Sequence, residues 1–168
     1  MGYDESVVID ARLAASPERV WAALTDADAL TAWYWPSSVH PTATSDPVVG
    51  GSFGIDADGM GFAGRYLELD PPRRLVQSWR WQGDDRDSRV TIELTPTGCG
   101  TDLVVVHDLV DGPTAEMYRA GWESCLARLP GYLADADGQT GAAGRVGGDG
   151  QTGMDRQTGA PGQTGADR

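Results

Sequence analysis

Hydrophobic and polar residues alternate along much of the chain up to about residue 110, which is typical of strands with one buried face. Turns rich in Gly, Asp and Pro separate these short segments, and this arrangement indicates an antiparallel meander. The segments at residues 6–14, 39–44, 51–56, 61–69, 75–82, 88–95 and 101–109 are therefore predicted to be strands.

Helical spacing replaces the alternation in three places. Ser16 is a good N-cap and Pro17 suits a first helical position, so we predict a helix over Pro17–Thr25 and a second over Ala27–Trp33. A longer apolar stripe predicts a helix from Pro113 to about residue 134, with a kink or stop at Pro130. The order of elements predicts an α+β fold in which the last helix covers the sheet.

The composition changes after residue 135. Residues 136–168 contain no aromatic residue, are rich in glycine and repeat the triplet Gln-Thr-Gly. Such a segment buries too little apolar surface to offset the entropy of ordering it. We therefore expect one folded domain over residues 1–135 and a disordered tail over residues 136–168.

The charge balance excludes some classes of partner. The net charge is −12, with arginine as the only basic residue type besides histidine and no cluster of basic residues. A nucleic-acid or anionic-membrane partner would need a positive surface. The chain also has no signal peptide or apolar run long enough to span a bilayer, so we expect a cytoplasmic protein.

Metal and thiol chemistry are not indicated by the sequence. Cys99 and Cys125 lack metal-binding spacing, and we interpret both as structural thiols. His40 and His107 are far apart, whereas a zinc site needs three or four converging ligands. We expect neither a metal nor a cofactor.

The segment LVQSWRW at residues 75–81 raises the main functional question. In a strand, Trp79 and Trp81 share a face with Leu75 and Gln77. Two neighbouring indoles on one face either fill a core or line a cavity. The residues alone leave both possibilities open.

Several motifs identify a family resemblance. They are SPERVWAALTDADALTAWYWP at 16–36, VGGSFGI at 49–55, GRYLELDPPRRLVQSWRW at 64–81, VTIELTPTGCGTDLVVVHDL at 90–109 and YRAGWESCLARL at 118–129. In order and spacing they resemble START-like domains, the SRPBCC or Bet v 1-like helix-grip superfamily. Within it, the chain is most similar to the activator of Hsp90 ATPase homologue 1-like proteins, over residues 6–135.

The resemblance implies a curved antiparallel sheet of about seven strands, a long C-terminal helix gripped by it, and a cavity between them. Domains of this kind bind hydrophobic small molecules. We therefore expect the chain to bind an aromatic or polycyclic molecule without covalent chemistry. The predicted ligand-binding residues are Trp33, Phe53, Phe62, Tyr66, Gln77, Trp79, Trp81, His107, Met117 and Trp122.

Two alternatives remain open. Some relatives are cyclases, aromatases or dehydratases, and here His107 and Glu68 would act as acid and base if both face inward. Strand register decides where Glu68 points, and we favour a structural role for His107. The other alternative is a protein-interaction module of the Hsp90-activator kind, with a chaperone or homodimer contact.

Overall fold

The computed structural model describes the backbone of residues 5–143 and the side chains of residues 5–136. The strands are β1 (Glu5–Leu13), β2 (Thr42–Ser45), β3 (Ser52–Ala57), β4 (Met60–Asp70), β5 (Arg74–Trp81), β6 (Ser88–Thr97) and β7 (Gly100–Val110). The α-helices are α1 (Pro17–Thr25), α2 (Ala27–Trp33), α3 (Gly112–Leu126) and α4 (Leu129–Ala143), and a short 3₁₀ helix spans Ser37–Val39.

Capping side chains fix where the helices begin. Asp26 ends α1 and starts α2, and its carboxylate accepts the Ala29 N–H at 2.9 Å. Asp111 does the same for α3, accepting the Thr114 N–H at 2.9 Å. Both predicted helices before residue 34 are confirmed because each carries its cap and first-turn residues in the local sequence.

The seven strands form a single antiparallel sheet in the order β1-β7-β6-β5-β4-β3-β2. The helices pack on its inner face, which confirms the predicted α+β helix-grip fold. The strand predicted at 39–44 is the main difference in bounds, because Ser37–Val39 form a 3₁₀ turn and His40 has a φ of 49°. β2 therefore starts only at Thr42.

The C-terminal helix is divided into α3 and α4. The break lies at Ala127 and Arg128, and Pro130 occupies the first turn of α4, where a missing N–H is tolerated. The backbone of α4 continues to Ala143, beyond the residue 136 at which the tail was expected to begin. The remainder of that predicted tail, 144–168, lies outside the described residues.

A β-bulge in β4 changes the predicted direction of Glu68. Tyr66 is opposite Gln77, but Glu68 is opposite Val76, so β4 has one more residue than β5 at this point. Glu68 consequently lies on the outer face, is half exposed and pairs with Arg74 at 3.0 Å. The inward orientation considered for Glu68 is therefore wrong.

The core lies between the sheet and the helices. Along β1, β6 and β7 its inner face is mainly aliphatic, with the fully buried side chains Val7, Val90, Leu103 and Val105. Along β3, β4 and β5 it is mainly aromatic. Within the described backbone, no helix has both the length and the apolar character needed to cross a membrane.

Candidate functional site

A cavity of about 220 Å³ lies beneath the aromatic half of the sheet, between the sheet and α3. Aromatic, methionine and cysteine side chains dominate its wall, and no charged residue contributes to it among those that the structure describes. The lining residues are Tyr34, Trp35, Met60, Phe62, Trp79, Trp81, Met117, Tyr118, Gly121, Trp122 and Cys125.

The sheet contributes to the cavity through the period-two pattern of its strands. Met60 and Phe62 lie on one face of β4, and Trp79 and Trp81 lie on one face of β5. Phe62 is directly opposite Trp81 across the two strands. The spacing that drew attention to the two indoles therefore does place both of them against the cavity.

The helices provide the other wall. Lining residues of α3 recur at the spacing of a single helical face, and Gly121 leaves open space because a Cβ there would meet no atom within 4 Å. Met117 is 58% exposed and Met60 is 54% exposed, so both lie where the cavity meets solvent. Tyr34 and Trp35 follow the end of α2 and close the remaining side.

Stacked rings hold the aromatic wall together. Trp79 stacks on Phe62 with ring centroids 3.6 Å apart and planes 17° from parallel. Trp35 lies parallel to Trp81 at 6.0 Å, with an interplanar angle of 12°. The first pair is face to face and the second is offset, and both make flat surfaces, which suit an aromatic guest.

The indoles of Trp33, Trp79, Trp81 and Trp122 differ in their hydrogen bonding. The Nε1 atom of Trp33 donates to the Ala23 carbonyl at 2.8 Å, and that of Trp122 donates to His107 Nδ1 at 3.1 Å. The Nε1 atoms of Trp79 and Trp81 are buried and have no hydrogen-bond acceptor in the described part of the chain. A buried donor without a partner costs about 1–3 kcal/mol.

Three further polar groups lie at the cavity wall, those of Tyr34, Tyr118 and Cys125. Burial raises the pKa of Tyr34 well above its usual value. Burial also raises the pKa of Cys125, so its thiol stays protonated and unreactive. The cavity therefore contains neutral polar groups only.

His107 belongs to a closed hydrogen-bond chain next to this cavity. Because an indole N–H can only donate, Nδ1 accepts from Trp122, and Nε2 carries the proton and donates to Ser88 Oγ at 2.7 Å. Ser88 Oγ in turn donates to the Trp79 carbonyl at 3.4 Å. Burial lowers the pKa of His107 to about 4, although Asp108 opposes this shift.

This geometry corrects the acid–base alternative. His107 has no exposed surface, and both of its ring nitrogens are already used. Glu68 is on the other face of the sheet with Arg74. The two side chains are therefore not positioned to act together on a substrate.

The structure divides the ten predicted ligand-binding residues into two groups. Those that line the cavity are Phe62, Trp79, Trp81, Met117 and Trp122. Those that pack elsewhere in the core are Trp33, Phe53, Tyr66, Gln77 and His107. Tyr66, for example, shares a hydrogen bond of 2.7 Å between its hydroxyl and Ser45 Oγ, so its polar atom is satisfied within the protein.

Sequence reasoning missed some lining residues as site members. Tyr34 and Trp35 stand at the end of α2 just before Pro36, and the run Trp33-Tyr34-Trp35 was a usable signal. Met60 precedes Phe62 by two positions, so the strand period could have included it. Tyr118, Gly121 and Cys125 belong to the apolar stripe that predicts α3, but the stripe did not show that they line the cavity.

Two larger grooves, each of about 750 Å³, lie elsewhere on the surface. One follows the outer face of β2–β5 and is lined mostly by polar residues, including the ion pair of Arg80 with Asp87. Within residues 5–136 no three His, Cys, Asp or Glu side chains are arranged to bind a metal ion. The smaller cavity is the better candidate site because it is apolar and has unpaired donors.

The structure resembles several solved structures. A protein of Chromobacterium violaceum is 31% identical, with 76% of this chain and 96% of that chain covered and a TM-score of 0.67. An HSP90 activator from Plasmodium falciparum is 25% identical, with 77% of this chain and 96% of that chain covered and a TM-score of 0.64. DynU16, described as a putative protein in the dynemicin biosynthetic locus, is 25% identical, with a TM-score of 0.69. The match covers 78% of this chain and 48% of DynU16.

A comparison with curated protein sequences found no match. The family model described as "Activator of Hsp90 ATPase homolog 1-like protein" matches residues 14–134, which include every residue that lines the cavity. The chain therefore belongs to the activator of Hsp90 ATPase homologue 1-like family.

Proposed function

We propose that this protein binds a small, uncharged aromatic molecule in the cavity between β4, β5 and α3. The observation that carries the proposal is the aromatic wall itself, formed by stacked rings around about 220 Å³ of space with no charged side chain. A largely apolar cavity with a few polar groups is typical of small-molecule sites.

The volume restricts the size of the ligand. A dry apolar cavity of roughly 150 Å³ holds benzene. The cavity of about 220 Å³ therefore fits an aromatic of about one or two rings, and a larger polycycle would require it to widen. Met60 and Met117 at the opening are flexible side chains that would adapt to such a ligand.

The proposal is binding and carriage rather than catalysis. A general acid or base needs a titratable group within reach of the substrate. The cavity wall offers tyrosine hydroxyls and a thiol whose pKa values burial raises, and these groups do not titrate near neutral pH.

The similarity to DynU16 supports a small-molecule ligand, since that protein is ascribed to a biosynthetic locus. The similarity to an HSP90 activator supports a second candidate, a contact with a chaperone. The two candidates differ in an observable way, because only the first predicts that a small molecule raises the melting temperature by itself.

The test is a titration of the full chain with toluene, indane and naphthalene, followed by melting temperature and tryptophan fluorescence. A ligand that binds only the folded state must stabilise it, and one near Trp79 and Trp81 should change their emission. Saturable changes in both signals support the proposal. No change with any of the three compounds would contradict it.

A matched pair of variants locates the binding. Gly121→Leu should reduce the response, because the new side chain enters open space at the cavity. Gly131→Leu is the control: it lies on α4, also meets no atom within 4 Å, and does not line the cavity. Equal responses in both variants would place the ligand elsewhere.

A further inference from the structure

We infer that the ligand carries a neutral hydrogen-bond acceptor, so that the preferred class is an aromatic carbonyl compound such as an aryl ketone or aldehyde. This inference rests on the proposed function, since it concerns the same cavity. Its basis is the set of hydrogen-bonding groups that the cavity wall leaves unpaired.

Trp79 and Trp81 are the first observation. Both indoles line the cavity, and the Nε1 atoms of both are buried without an acceptor in residues 5–136. Trp79 is 4% exposed, so water does not replace the missing partner. Buried polar groups in folded proteins are nearly always paired, which makes two such donors at one cavity unusual.

Tyr34 is the second observation. Its side chain is buried and lines the cavity. A neutral phenol can donate as well as accept. The wall therefore contains two unpaired buried donors and a phenol that can also donate.

The remaining polar groups do not supply the missing acceptor. Burial raises the pKa of the Tyr118 hydroxyl, and the neighbouring Ser88 and Trp81 only partly offset this rise. The Trp81 N–H nevertheless has no hydrogen-bond acceptor among the described residues. The Cys125 thiol stays protonated and is a weak acceptor. Two buried indole donors are thus left without an acceptor, and a ligand that carries one would satisfy them.

Charge decides which acceptor is suitable. Among the described residues that line the cavity there is no cation, and the chain has a net charge of −12. A carboxylate would lose its hydration here without gaining a counter-ion, which is costly. A carbonyl oxygen provides the acceptor without that cost.

The experiment compares three ligands with nearly the same bicyclic skeleton by calorimetry on the full chain: indane, 1-indanone and indane-1-carboxylate. The indole N–H groups are already buried without a partner in the free protein. A ligand oxygen that accepts a hydrogen bond from them therefore adds to the binding energy. We expect 1-indanone to bind roughly tenfold more tightly than indane. The carboxylate should bind more weakly than either.

Variants that remove single donors complete the test. Trp79→Phe and Trp81→Phe keep a ring but lose the N–H, so the preference for 1-indanone over indane should shrink in both. Trp35→Phe is the matched control, because Trp35 lines the same cavity and its N–H is not one of the unpaired buried donors. If Trp79→Phe does not fold, Trp81→Phe at its more exposed position makes the same comparison.

The outcomes separate this inference from the proposed function. Equal binding of indane and 1-indanone, or a preference that survives in both donor variants, would overturn the acceptor inference and leave the cavity as a binding site. Binding of none of the three compounds would overturn both. A preference lost in the donor variants and kept in Trp35→Phe supports the inference.

Discussion

The two halves of the inner sheet face solve the same packing problem with different side chains. Over β1, β6 and β7 the face is built mainly from aliphatic residues, and its buried polar side chains, Ser88, Thr101 and His107, are all hydrogen-bonded. Over β3, β4 and β5 it is built from aromatic rings, and two indole donors are unpaired. The apolar cavity of about 220 Å³ lies against the aromatic half.

The difference shows what each residue type does well. Branched aliphatic side chains interdigitate and fill space in many orientations, which gives dense packing. Flat rings stack in a few orientations and leave gaps at their edges, where indole N–H groups must find partners. We interpret the aliphatic half as the stabilising part of the molecule and the aromatic half as the binding part.

The largest expected effect comes from the aliphatic half. Leu103 has no exposed surface, so Leu103→Ala should lower the free energy of unfolding by about 4 kcal/mol, through lost burial and the hole left behind. Urea denaturation measures this loss. Ligand affinity of the folded fraction should stay unchanged, and a large change in affinity would mean that the two halves are coupled.

Low pH should also lower the free energy of unfolding, through His107 in the same aliphatic half. The pKa of His107 is lowered from 6.5 in the unfolded chain to about 4 in the folded one, so the unfolded state binds the proton more readily between these values. Stability is therefore fully present above pH 6.5 and falls as the pH drops towards 4, by roughly 3 kcal/mol in total.

Chemical denaturation at several pH values tests this dependence. In His107→Gln the slope between pH 6.5 and 4.5 should flatten, although the variant is less stable throughout. An identical slope in the variant and the natural chain would assign the acid sensitivity to other groups.

Breaking the hydrogen-bond chain around His107 should lower the free energy of unfolding by a smaller amount. Ser88→Ala removes the acceptor of the Nε2 proton, so the free energy of unfolding should fall by about 1–2 kcal/mol. The tryptophan emission of the folded protein should change as well, since Trp79 is 5.1 Å from the imidazole between ring centroids. Unchanged stability would show that water replaces the hydroxyl.

The smallest effect should come from the cavity side. Gly121→Ala adds a good helix former where no atom lies within 4 Å, so stability should rise by about 0.5–1 kcal/mol. Gly131→Ala should give a similar gain on α4. Only the first should weaken ligand binding, and an equal loss in both would contradict the assignment of the cavity.

Local signals made most of the fold predictable. Caps such as Asp26 and Asp111 act on their own helices, and strand alternation placed Trp79 and Trp81 on the inner face from the sequence alone. The bulge after Tyr66 was not predictable, because an extra residue in one strand depends on the partner strand. It reversed the direction assigned to Glu68.

The site was harder to predict than the fold. Whether an inward residue lines a cavity or fills the core depends on what lies opposite, and that is a tertiary property. Trp33 shows this: its spacing matched a cavity residue, but its indole bonds to Ala23 within the helical layer. Trp35, two positions later, stacks on Trp81 at the cavity.

The most direct test of the account is a crystal structure of the protein under xenon pressure, since xenon enters dry apolar cavities. The account predicts a xenon atom between β4, β5 and α3, close to Phe62, Trp81 and Trp122, and none beneath β1, β6 and β7. Absence of xenon at the aromatic half, or its presence only beneath the aliphatic half, would contradict the division of the molecule into a packed part and a binding part.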